Sequence, residues 1–193
     1  MCHALLCSPP FFALLGRIDH ELAELARAAR CACGGALHRA DYPRKPRGAA
    51  AQVRSEHTTR LSFCCAVCRR RTTPASVRFL GQRVYLALAV VLRSDRRAGP
   101  SAAAAQLQQQ LEVPLRTLQR WQSWWSAEFP MTALWRAAAA RFMPPLAAQE
   151  LPGALVDRFV AGFVGASHEA MTRMLVFLSP LTVRAERALG AAP

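Results

Sequence analysis

The sequence predicts a mainly α-helical protein, a helical bundle with one small segment of short β-strands inserted into it. Three observations lead there. Apolar residues recur at three- and four-residue steps through most of the 193 residues, the period of a helix with one buried face. Prolines and glycines cut that pattern into helix-length pieces. Between residues 31 and 80 the pattern lapses, and cysteines, glycines and alternating residues replace it. Hydrophobic residues make up 52% of the chain, so a packed core is expected and wholesale disorder is not.

Four regions follow in order. Residues 1–30 hold the first helix: Leu14, Leu15, Ile18, Leu22 and Leu25 form one apolar stripe, Asp19, Glu21 and Glu24 fall off it, and Pro9-Pro10 suits its entrance. Residues 31–80 begin with a tight turn at Cys31-Ala32-Cys33-Gly34-Gly35. An exposed basic loop follows at 43–48. Residues 60–65 alternate like a strand, Cys68 follows a second turn, and Thr72-Thr73-Pro74 ends the unit.

Residues 81–130 return to helical spacing. Val84, Leu88, Val91 and Leu92 form a face over 81–97, with Arg93, Arg96 and Arg97 at the end where cations suit the helix dipole. Gly99-Pro100 breaks it, Ser101 caps a helix over 102–111, and Pro114 starts another that runs to about residue 127. Residues 131–193 are a helical tail. One helix over 131–142 stops at Pro144-Pro145, a second carries Leu155, Phe159 and Phe163, and a third carries Met171, Met174, Leu175 and Leu178.

The net charge is +13, and it is unevenly placed. Residues 1–38 are neutral, residues 39–97 carry +11 and residues 98–193 carry +2. A field that concentrated attracts polyanions, and phosphate backbones are the commonest of these. No stretch is long and apolar enough for a membrane span, and no targeting segment stands out. A cytoplasmic bacterial protein is therefore expected, with no membrane partner. Seven cysteines in a reducing compartment point to thiols or metal ligands rather than disulfides.

A tetrahedral metal needs two thiolate-bearing turns with glycine nearby. Cys31-x-Cys33-Gly-Gly and Cys65-x-x-Cys68 supply them, so Cys31, Cys33, Cys65 and Cys68 are the expected ligands of a structural zinc. Cys65 is preferred to Cys64 because it shares a strand face with Phe63 and keeps the usual spacing to Cys68. His38 and His57 are reserve ligands. Cys2 and Cys7 are expected to behave as small apolar residues.

These cysteines, Gly34 and the run Arg69-Arg70-Arg71-Thr72-Thr73-Pro74 resemble the zinc ribbons at the front of bacterial transposases and related mobile-element proteins. The resemblance implies that the ribbon contacts or positions DNA, with Arg69, Arg70 and Arg71 clamping a phosphate beside the metal turn.

Over 101–125 the chain reads as a helix-turn-helix. Leu107, Leu111, Val113, Leu118 and Trp121 fall where two crossing helices meet. Arg116, Thr117, Gln119, Arg120 and Ser123 are expected on the outer face of the second helix, within reach of base edges. Glu112 and Gln108 depart from the usual glycine and small residue of such turns. Trp121, Trp124 and Trp125 form a cluster joined by Trp135, and Trp121 and Trp125, one helical turn apart, are expected to pack inward. The segment resembles the helix-turn-helix heads of transposases, resolvases and small bacterial regulators.

No enzyme is expected. The acidic residues are scattered among helices, and neither a phosphate-cradling glycine loop nor a nucleophile elbow is present. The expected function is sequence-specific binding of double-stranded DNA, and the resemblance implies an accessory or remnant of a transposase as its setting. A homodimer reading two half-sites and a transposase or integrase partner are both compatible with it. The alternatives are a transcriptional regulator and a non-enzymatic adaptor for protein or RNA.

Overall fold

The computed structural model describes residues 2–44, 57–80, 87, 90, 91, 114–162 and 167–183. The protein is mainly α-helical, with a small antiparallel β unit. After a 3-10 turn at Cys2–Cys7, helix α1 spans Pro9–Ala28. Ser8 caps it: its side-chain oxygen accepts from the amide of Phe11, and the prolines that follow occupy positions whose donors have no helical partner.

The buried stripe of α1 differs from the expected one. Phe11, Phe12, Leu15, Asp19 and Ala23 face inward. Leu14, Ile18 and Leu22 are only partly buried, and Leu25 is 68% exposed. Asp19, expected on the solvent side, is 1% exposed. Two overlapping stripes share Leu15, and the packing partners chose the one that holds the carboxylate.

Among the described residues the β unit has five short strands: β1 Leu37–Arg39, β2 Tyr42–Pro43, β3 Thr59–Arg60, β4 Phe63–Cys65 and β5 Arg71–Thr72. The strand expected over 60–65 is thus broken at Leu61 and Ser62. Strands β1, β4 and β5 form one antiparallel sheet in that order, with Leu37 opposite Cys65 and Cys64 opposite Arg71. Strands β2 and β3 form a second ladder. The unit has a small core of its own: Leu37, Leu61, Phe63 and Cys65, joined by Ala23 from α1.

The helical body is larger. It contains α2 (Leu115–Ser123), α3 (Ala133–Ala138), α4 (Gly153–Ala161) and α5 (Ser167–Leu178). Helix α2 continues through a π-helical turn at Trp124–Glu128. The helix therefore runs to Glu128, close to the expected end near residue 127, and a 3-10 turn at Phe129–Met131 follows it. Trp121 and Trp125 are buried, one helical turn apart. Ring contacts run from Trp125 to Phe129 (4.7 Å), Phe129 to Trp135 (5.1 Å) and Trp135 to Phe142 (5.5 Å, stacked). Met171, Met174, Leu175 and Leu178 of α5 are all buried, as their spacing predicts, and α4 packs against α5.

Ala87, Val90 and Val91 are helical and buried in this body. The remainder of the helix expected over 81–97, and the whole helix over 102–111, lie outside the described residues. The crossing of the expected helix-turn-helix lies there too.

One buried network joins the two parts. Asp19 Oδ1 accepts from the Val77 amide at 2.7 Å, and Oδ2 accepts from Ser76 Oγ at 2.6 Å and Arg78 Nε at 2.7 Å. The Ser76 amide donates to Thr182 Oγ1 at 2.9 Å. The strap leaving the β unit is therefore held to α1 at one side and to the chain beyond α5 at the other.

Candidate metal centre and its basic surroundings

Two turns carry the four sulfurs. In the first, the Gly34 amide donates to the Cys31 carbonyl at 2.7 Å and the Cys31 amide to the Gly35 carbonyl at 3.1 Å. Gly34 sits at φ +79°, where a side chain would be strained. A Cβ on Gly35 would stand 2.6 Å from Cys65 Sγ, so only glycine lets the two turns close on each other. In the second turn, the Cys65 amide donates to Arg70 O at 3.0 Å and the Arg69 amide to Cys65 O at 3.2 Å. Arg69 takes a left-handed φ of 59° to make that reversal.

The turns pair sulfur to sulfur. Cys31 lies 3.5 Å from Cys68 and Cys33 lies 3.5 Å from Cys65. All four Sγ atoms lie within 4.8 Å of one another. Zinc–sulfur bonds of about 2.3 Å in a tetrahedron imply sulfur–sulfur separations of about 3.8 Å, so the quartet matches that shell. Cys65, not Cys64, belongs to it. Cys64 Sγ turns to the Arg69 carbonyl instead. His38 is exposed, and His57 is buried edge-on against Phe12 at 5.0 Å; neither joins the sulfurs. Cys7 is exposed, not packed as a small apolar residue as expected.

The thiols are poised unequally. The backbone amides of Cys68 and Val67, outweighing burial, hold Cys65 down to about 6. At Cys68 the Arg70 amide pulls downward, but hydrogen bonding with Cys33, burial, and the Cys31 and Cys65 sulfurs together push it up to about 12. One thiolate is welcome here and the next is opposed. A divalent cation removes that opposition by supplying the missing positive charge. Soft thiolate donors in a tetrahedral set favour zinc. Four sulfurs close the shell, leaving no position for a reactive water.

Arginines follow the second cysteine turn and recur elsewhere in the β unit and the strap that leaves it. Arg69, Arg70 and Arg71 are all exposed. Arg71 is fixed, since its Nη1 donates to Ala40 O at 2.7 Å and Ser62 Oγ at 3.0 Å. Its guanidinium lies 5.4 Å from the Tyr42 ring centroid, and that of Arg44 lies 5.1 Å from the same ring. Arg60 and Arg78 are buried. Burial, the largest influence, lowers the Arg60 pKa, and Arg78 and Arg44 lower it further against the opposing effects of Asp19 and Tyr42. Spacing alone did not reveal Tyr42, Arg44, Arg60 or Arg78. The available signal was the concentration of charge over 39–97.

On α2, Arg116, Gln119, Arg120 and Ser123 are exposed, as expected for an outward face. Thr117 is not: it is 9% exposed, and with Leu118 it turns into the body. A four-residue outward stripe (116, 119, 120, 123) is what the helical period allows once Trp121 and Leu118 point inward.

No helix among the described residues is long and apolar enough to cross a membrane. Comparison with known proteins finds no matching family model, no matching curated protein and no matching solved structure.

Proposed function

We propose that this protein is a non-catalytic binder of double-stranded DNA, built on a ribbon held by structural zinc and on the outer face of α2. The observation that carries this reading is the sulfur quartet, with Arg69, Arg70 and Arg71 exposed on the turn and strand that follow it. A closed four-thiolate shell does no chemistry on a substrate. It holds a basic surface in shape, which a region with so small a core needs.

Helix α2 supplies the second contact. Arg116 and Arg120 can pair with guanine and Gln119 with adenine, at about 1–3 kcal/mol of discrimination for each well-made pair. Thr117 is withdrawn from that role. Ribbon arginines would then set affinity, and α2 would set sequence preference. A mobile-element setting, with a second copy on a second half-site or a transposase partner, is part of this proposal through the resemblance alone.

The test is metal analysis of the purified chain, followed by duplex binding across a salt series. One zinc per chain is expected, with affinity falling linearly in log–log form as salt rises. Absence of duplex binding at low salt overturns the reading and favours an adaptor that docks RNA or an acidic protein.

A further inference from the structure

Tyr42 and Arg60 face each other across β2 and β3. Arg44 follows on the same side of the chain, with its Nη2 donating to the Tyr42 hydroxyl at 3.4 Å and its guanidinium near the ring. Arg71 arrives from β5 and is held against the same ring by Ala40 O and Ser62 Oγ. Arg60 is 2% exposed. Its Nη2 donates to Pro74 O at 2.6 Å, while its Nη1 is buried and has no hydrogen-bond partner among the described residues.

The charge balance here is lopsided. Among the described residues two carboxylates lie here, and both are engaged: Asp41 with Arg39 and the Ser62 amide, Asp19 with Arg78, Ser76 and Val77. Arg44, Arg60 and Arg71 have no carboxylate partner among the described residues. Asp19 offsets part of the charge on Arg60, but it is already bound by Arg78, and crowded guanidiniums short of counter-charge repel one another, more so when partly buried. An anion placed among them converts repulsion into charge-assisted hydrogen bonds.

Two features select the kind of anion. Arg44 is already ordered by Tyr42, and Arg71 by Tyr42, the Ala40 carbonyl and the Ser62 hydroxyl, so binding costs little side-chain freedom. The Tyr42 ring is half-buried and carries two guanidiniums, so it offers no clear face for a base to stack on. Clustered guanidiniums without a stacking platform suit a phosphodiester rather than an unpaired base.

We infer that Arg44 and Arg71, held on Tyr42 with Arg60 buried beside them, form a phosphate clamp for the nucleic-acid backbone that is indifferent to base sequence. This rests on the DNA-binding reading above. It shifts the principal backbone contact from the Arg69-Arg70 turn to a preorganised pair from β5 and the end of β2.

The experiment uses the full, zinc-loaded chain and two duplexes of equal length and unrelated sequence. The Arg44→Ala/Arg71→Ala double variant should weaken both duplexes alike and reduce the log–log salt slope by about two, one for each phosphate left unneutralised. Zinc content and the far-ultraviolet helix signal should stay unchanged, which a merely structural role for Arg71 would not allow. If the double variant loses its zinc, Arg44→Gln alone should lower the slope by about one. An unchanged slope in these variants, with Arg69→Ala/Arg70→Ala abolishing binding, overturns the clamp and leaves the DNA reading standing. Wild-type protein that binds neither duplex overturns both. Saturable inorganic phosphate binding that the double variant loses, with duplex affinity intact, assigns the site to a free phosphate and overturns the nucleic-acid clamp.

Discussion

The ribbon and the helical body solve the same problem by different means. The body buries a large connected set of side chains, among them Trp121, Trp125, Phe129, Leu155 and Met174. Hydrophobic burial at about 25 cal/mol per Å² can hold such a region without help. The ribbon buries Leu37, Leu61, Phe63, Cys65 and the borrowed Ala23, and its outer surface is crowded with arginine. It has little core to order its turns, and its four clustered sulfurs could hold one ion in place of that core. The difference suggests a division of means: water exclusion shapes the body, and on the proposed zinc reading coordination shapes the ribbon.

Removing the metal should separate the two most clearly. Structural zinc is worth on the order of 10 kcal/mol in small thiolate sites, so a strong chelator should unfold the ribbon. All four tryptophans lie at positions 121–135, within the body. Their fluorescence should therefore hardly change while hydrogen exchange in β1, β4 and β5 becomes fast. A parallel loss of tryptophan signal would show the two regions to be one cooperative unit.

Trp125→Ala is the converse. It empties a fully buried site in the body and should cost about 3–5 kcal/mol, read by thermal melting. Zinc content should remain at one per chain. Loss of zinc in this variant would break the comparison from the other side.

Asp19→Asn tests the joint. It removes the counter-charge of buried Arg78, a kind of change that typically costs about 3–5 kcal/mol, with the amide's remaining hydrogen bonds keeping this variant near about 3. Faster amide exchange should be centred on Val77, whose N–H loses a charged acceptor. Exchange unchanged at residues 76–78 would mean that the strap is held elsewhere.

Gly35→Ala is the mildest. Its Cβ would stand 2.6 Å from Cys65 Sγ, and such overpacking costs about 1–3 kcal/mol. The effect should appear as weaker zinc retention in chelator competition, with the melting of the body untouched. Full zinc retention would show that the two turns can move apart without losing the shell.

Much of the metal centre was legible from spacing. Cys31, Cys33, Cys65 and Cys68 are in place, and strand alternation favours Cys65 over Cys64 because it puts Cys65 on the face of Phe63, which is buried with it. The inward face of α5 was equally readable, because Met171, Met174, Leu175 and Leu178 are all apolar and leave one choice of face. Helix α1 was not. Leu14, Ile18 and Leu22 offered a complete apolar stripe, and Asp19 looked like a solvent residue. Its stripe nonetheless runs through Phe12, Leu15, Asp19 and Ala23. Thr117 failed for a related reason: a small polar residue beside Leu118 fits either face until the body is assembled.

Local chemistry lies in the order of residues itself: paired thiols with their glycines, the helical periods, the excess of arginine between 39 and 97. Those features depend on neighbours a few positions apart. What needed the folded chain was every decision in which distant partners meet. Cys33 reaches Cys65, Arg71 reaches Tyr42, and Asp19 can be buried only because Ser76, Val77 and Arg78 bring their donors to it. A carboxylate leaves water only when its partners arrive, and nothing in the residues flanking Asp19 announces that they will.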